Sequence, residues 1–132
     1  MSSVADAHGE RLAAISNAIV RIFSESYGRG PTKAKSYVFD NYVLCVLEDM
    51  LTTVEHTLVD HGEEALVRTL RLKFQEAVAD RFKGAVTEIM GRDVIAYHSQ
   101  VTFHPPMSFE FFVLEEEEQP ETRVDPRTPR SR

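Results

Sequence analysis

Two glycines and a proline fall within the four residues Gly28-Arg29-Gly30-Pro31, directly after Tyr27. They separate a stretch of helical periodicity from a stretch that alternates like a strand. Gly28 or Gly30 can take the left-handed conformation that ends a helix. Pro31 cannot prolong that helix and biases Gly30 toward extended geometry. The chain is therefore committed here to a sharp change of direction between two unlike elements. Arg29 lies between the glycines, where a guanidinium and exposed backbone N–H groups are the parts of an anion site. On that reading Tyr27, Gly28, Arg29, Gly30 and Lys33 would hold a small anion such as bicarbonate, phosphate or a carboxylate. On the other reading the segment is a helix stop with a solvated arginine.

The elements on either side follow from periodicity. Leu12, Ile15, Ile19, Ile22 and Phe23 recur at spacings of three and four, which predicts a helix from about Ala7 to Ser26. After Pro31, Ala34, Ser36 and Val38 alternate with Lys35, Tyr37 and Phe39. Asp40-Asn41 suits a tight turn into Tyr42–Leu47. This second strand is apolar on both faces, which puts it at the centre of a sheet or at an oligomer interface.

Thr52-Thr53-Val54-Glu55 is a capping-box signature and opens a short helix ending near His61-Gly62. A long helix is predicted from Glu63 to Met90, with Leu66, Leu70, Phe74, Val78, Phe82, Val86 and Ile89 as its apolar stripe. Gly84 marks a possible kink in it, and Gly91 its cap. Val94–Phe103 and Ser108–Leu114 make a second hairpin around Pro105-Pro106. The fold class predicted is α+β: a largely antiparallel four-stranded sheet built from two hairpins, helices on one face, order α-β-β-α-α-β-β. One domain spans residues 1–114. Residues 115–132 form an acidic-then-basic tail with almost nothing apolar, expected to be disordered.

Bulk properties narrow the function. A chain of 132 residues with 42% hydrophobic residues supports one core without metal or disulfide, and its single cysteine, Cys45, permits no internal disulfide. No apolar run reaches the ~20 residues of a membrane span, and the first residues show no basic, apolar leader. A cytoplasmic protein is the expectation. A net charge of −6 argues against a general nucleic-acid binder. The five histidines show no zinc spacing, and neither a P-loop, a nucleophile elbow nor a dinucleotide fingerprint is present. No catalytic, metal or cofactor set is indicated. Arg68, Arg71 and Lys73 on the long helix read as a solvated face paired with Glu63, Glu64 and Glu76, or else as part of a positive patch with Arg29 and Lys33.

The order of these segments resembles the MpsC-like family. The resemblance rests on Tyr27-Gly28-Arg29-Gly30-Pro31, Val38-Phe39-Asp40-Asn41-Tyr42-Val43 and Leu51-Thr52-Thr53-Val54-Glu55-His56-Thr57-Leu58. It continues in Thr87-Glu88-Ile89-Met90-Gly91 and Phe111-Phe112-Val113-Leu114, and covers about Arg11 to Leu114. It implies a small bacterial cytoplasmic accessory protein, in a family named for a soluble component associated with a membrane system for cation translocation and inorganic-carbon supply, with no catalytic residues to carry over. The expected activity is non-enzymatic and regulatory, the expected assembly a homodimer through the first helix, a sheet face or both, and the expected partner a membrane transport complex.

Overall fold

The computed structural model describes residues 4–117. Their order is α1 (Val4–Tyr27), β1 (Lys33–Phe39), β2 (Tyr42–Glu48), α2 (Thr53–Asp60), α3 (Glu64–Met90), β3 (Val94–Phe103) and β4 (Pro106–Leu114). The predicted α+β class and element order are found. The strands form one open antiparallel sheet in the order β1-β2-β4-β3. Each hairpin contributes an edge strand and an inner strand, and β2 pairs with β4 to join them. The double-sided apolar character of β2 thus marks an inner strand. The predicted tail lies, from residue 118 on, outside the described residues.

Pairing sorts the strand residues into rows across the sheet. On one face run the rows Ala34–Leu47–Ser108–Val101, Ser36–Cys45–Glu110–Ser99 and Val38–Val43–Phe112–Tyr97. This face is covered by α1 and α3. Ile15, Ile19, Ile22 and Phe23 of α1 meet Val78, Phe82 and Val86 of α3 above Val43, Cys45, Leu47, Phe112 and Leu114. Phe23 lies 5.3 Å from Phe74 and 5.4 Å from Phe82, ring centre to ring centre. A second cluster, Met50, Leu51, Val67, Val101 and Phe103, closes the core beneath α2 and the start of α3.

The other face carries the rows Lys35–Val46–Phe109–Gln100, Tyr37–Leu44–Phe111–His98 and Phe39–Tyr42–Val113–Ala96. None of the described helices packs on it. Phe39 remains 53% exposed, Tyr37 43% and Tyr42 37%. Tyr42 stacks on Phe111 at 5.8 Å and meets Phe39 at 6.1 Å.

The long helix departs from its predicted stripe. Leu66 and Leu70 are half exposed, and the buried positions are Val67, Arg71, Gln75, Val78, Phe82 and Val86. The core-facing stripe of the first half is therefore turned by one residue. Two polar side chains occupy it because the sheet and α2 offer them charged partners. Gly84 is exposed inside the helix, which is a single element to Met90, and Gly91 caps it at φ 71°. β1 starts at Lys33 and β4 at Pro106, each within two residues of the expected position.

Candidate functional site

The Tyr27–Pro31 segment ends α1 and fixes the β2–α2 loop. Gly28 takes φ 87°, the left-handed conformation expected of one of the two glycines. Gly30 is required for a different reason. A Cβ there would stand 2.3 Å from Ser24 Oγ and 3.0 Å from the Val20 carbonyl oxygen, so the chain folds back against the last turns of α1. Pro31 is buried immediately after it.

Arg29 reaches across to the opposite loop. Its Nη1 donates to the carbonyl oxygens of Asp49 at 2.8 Å and Leu51 at 2.9 Å. Its Nη2 lies 3.3 Å from Asp49 Oδ2, which also accepts from Thr32 Oγ1 at 2.6 Å. Asp49 itself has φ 52°. The Thr32 hydroxyl, with help from Arg29, holds the Asp49 carboxyl below its ordinary pKa. The guanidinium thus clamps a loop whose backbone is bent at a non-glycine residue.

Tyr27 points inward from the same turn. Its hydroxyl donates to Glu55 Oε2, and its ring meets Phe74 edge-on at 4.6 Å. Glu55 is the third helical residue of α2 and completes the capping box: its Oε1 accepts from the Thr52 N–H at 2.9 Å, and its own N–H donates to Thr52 Oγ1 at 3.2 Å. Arg71 closes the group from α3. Its Nε donates to Glu55 Oε2 at 2.9 Å and its Nη2 to Oε1 at 2.6 Å. Nη2 also donates to the Met50 carbonyl, and the guanidinium carbon sits 4.5 Å above the centre of the Tyr27 ring. Arg71 is fully buried and Glu55 nearly so.

One carboxylate therefore gathers four donors from three elements: Arg71 twice, Thr52 and Tyr27. Burial opposes its ionisation, but Arg71, the Thr52 N–H and the Tyr27 hydroxyl outweigh burial and hold Glu55 below the usual carboxyl pKa. Burial and the bond to Glu55 push the Tyr27 hydroxyl well above the ordinary tyrosine value. The cluster is thus an ionised, saturated carboxylate with a protonated phenol beside it, built to hold α1, α2 and α3 together.

Glu110 forms a second buried polar cluster on the helix-covered face of the sheet. It accepts from Tyr97 through Oε1, and through Oε2 from Ser108 at 2.6 Å, Ser99 at 2.9 Å and Gln75 at 3.1 Å. Burial is the largest influence and raises its pKa above the ordinary value despite these donors. Gln75 and Tyr97 also line a cleft of about 340 Å³ between α3 and β3, with Leu72, Glu76, Ala79, Lys83, His98 and Ser99. Cys45, in the same row as Glu110, is buried, and burial raises its thiol to about 11. It is a packed thiol at neutral pH.

Of the residues assigned to an anion site, Tyr27 and Arg29 are both bonded to the β2–α2 segment. Lys33 is exposed at the start of β1 and lines a separate depression of about 370 Å³ with Thr32, Ala34, Lys35 and Glu48. The reading of Arg71 as part of a solvated face or positive patch is corrected: it is the largest fully buried side chain, paired to Glu55 and not to Glu63, Glu64 or Glu76. Arg68 and Lys73 are exposed, and Arg68 lies 5.1 Å over the Phe103 ring. The capping box pointed to Glu55, but nothing in its spacing disclosed the second role. Among the described residues no group of three or more His, Cys, Asp or Glu is placed to hold a metal.

The family model described as "Na+-translocating membrane potential-generating system (MpsC)" matches residues 7–116. That span contains the whole sheet, the Tyr27–Pro31 turn and the Glu55–Arg71 cluster. No curated protein and no solved structure matches the chain. With a match over so much of its length, the chain belongs to the MpsC family.

Proposed function

We propose that this chain is a non-enzymatic, cytoplasmic accessory module that regulates a membrane cation or inorganic-carbon transport system by binding, and that it works as a homodimer. The observation carrying this reading is that the ionisable groups gathered around the Tyr27–Pro31 turn are bonded to one another. Glu55 is saturated by four donors and Arg29 is directed at two carbonyls and Asp49. Such groups stabilise a shape and leave no acid–base pair free for chemistry. The family description supports the link to a membrane system. No described helix is long and apolar enough to cross a membrane, which suits attachment through a partner. The test is co-isolation of the tagged full chain with membranes that contain the transport proteins and with protein-free vesicles of the same lipids. Retention by the first alone is expected. Equal retention by both, or by neither, would refute the reading.

A second reading makes the Tyr27–Pro31 turn a sensor of a small anion. The Arg29 side chain is 36% exposed, which supports it, while its bonds to the β2–α2 loop compete with any ligand. Calorimetry with bicarbonate and phosphate on wild type and Arg29→Ala decides between them: heat in wild type alone supports sensing.

A further inference from the structure

The sheet face opposite the helices is apolar and aromatic where a solvated face would be polar. Two adjacent rows read Tyr37–Leu44–Phe111–His98 and Phe39–Tyr42–Val113–Ala96, the latter beside the β1–β2 turn, and the next row adds Val46 and Phe109. Antiparallel sheets with one wet face normally alternate apolar and polar residues. Here β2 and β4 are apolar on the outer face as well. Four strands ~4.8 Å apart, carrying rows ~6.8 Å apart, give the face a plan of roughly 20 by 24 Å, or about 500 Å² before side-chain relief. That is in the range of the largest patch a monomer leaves exposed, ~300–600 Å² and often functional, and approaches the lower end of the ~600–1,000 Å² each partner contributes to a standard interface.

By composition, residues 118–132 offer this face little apolar cover. Residues 118–132 hold one valine as their only large apolar side chain, among three prolines and four arginines. The two sheet edges also discourage strand-to-strand pairing: β1 carries exposed Lys33 and Lys35, and β3 is bulged between Val94 and Ala96. The face is therefore available to an outside partner, and the edges are not. Its charges fall at one end and are of both signs, Lys33 and Lys35 beside Glu48, while its centre is uncharged. A patch of that kind is compatible with a copy of itself, as an isologous contact requires.

We propose that a second copy of this chain covers the outer sheet face, the two sheets stacking as a sandwich across a two-fold axis with Tyr37, Phe39, Tyr42 and Phe111 at the contact. This rests on the homodimer of the proposed function and names its surface. It is independent of membrane attachment, so co-isolation with membranes and self-association are scored separately.

The test is light scattering and sedimentation of the full chain from 1 to ~100 µM, a range in which specific interfaces of this size populate a dimer. The wild type is expected at twice 15.0 kDa. Tyr37→Glu and Phe39→Glu alter side chains already exposed in the protomer, so they leave its fold intact, as circular dichroism will show. Each is expected to raise the dimer Kd by at least about 30-fold. Leu66→Glu and Leu70→Glu, on the exposed side of α3, are expected to leave the dimer unchanged. A monomeric wild type at 100 µM overturns the proposal, as does a dimer that survives both face variants, a dimer broken by the α3 variants, or a monomer that binds single-stranded oligonucleotides through this face.

Discussion

Arg71 and Glu55 form a bidentate ion pair almost wholly shielded from solvent, bridging α3 and α2 through bonds of 2.9 and 2.6 Å. Removing one member leaves a charge buried without its partner, which costs about 3–5 kcal/mol. Arg71→Met should therefore destabilise the protein by about that amount in urea unfolding. Arg71→Met with Glu55→Leu should recover much of it, because two apolar residues avoid the uncompensated charge. A double variant no more stable than Arg71→Met would contradict this account.

Tyr27→Phe isolates one donor of the same group. The ring keeps its contacts with Phe74 and Arg71, and only the hydroxyl bond to Glu55 is lost. A loss of about 1.5–3 kcal/mol is expected, the range for a hydrogen bond to a charged group. Chemical denaturation of the two proteins under one buffer measures it.

Acid acts on this cluster with a defined sign. Glu55 titrates lower in the folded protein than in the unfolded chain. Its contribution is complete above the unfolded value of about 4.3 and fades as pH falls through the lower folded value. Glu55→Gln should be the less stable protein at neutral pH, and the gap should narrow in acid. A gap independent of pH would exclude a role for the ionised form.

Glu110 has the opposite sign. Its folded pKa is raised by burial, so it favours the folded state below the unfolded value, and that advantage is lost as pH rises through the folded value. Stability measured from pH 4 to 8 should decline more in wild type than in Glu110→Gln. Parallel curves would show that the donors from Tyr97, Ser99, Ser108 and Gln75 fully offset burial.

The two glycines of the turn should fail differently. Gly28 has open space around it and a positive φ, so Gly28→Ala should cost about 1 kcal/mol, through the backbone alone. At Gly30 an added Cβ meets Ser24 Oγ and the Val20 carbonyl. Ser24→Ala should rescue part of the loss in Gly30→Ala and none in Gly28→Ala, as paired thermal melts will show.

The elements and their order were legible because each carries its own local signal. The capping box, the Asp40-Asn41 turn and the Gly-Arg-Gly-Pro break are all short-range features, and the structure has a capping box, a turn and a break in those places. The central position of β2 was legible from its two apolar faces. What escaped was the face of α3. Counting apolar residues selects Leu66 and Leu70, whereas the core takes Arg71 and Gln75 because Glu55 and Glu110 wait there. Those carboxylates lie 16 and 35 residues away in sequence, and no periodicity reports a pairing at that range. Arg29 was legible as a cation at a tight turn, but not as a clamp on Asp49 and Leu51.

The polar residues on the buried side of α3 also set where that helix can sit. An apolar ridge that slides by one turn finds another groove of similar shape. Arg71 cannot do the same, since a turn displaces its guanidinium by ~5.4 Å, out of reach of Glu55. Gln75, one turn further on, would lose Ser108 and Glu110 in the same movement. The helix is thereby indexed along its own axis, like a rod held by two pins, so that even its apolar positions have one address each.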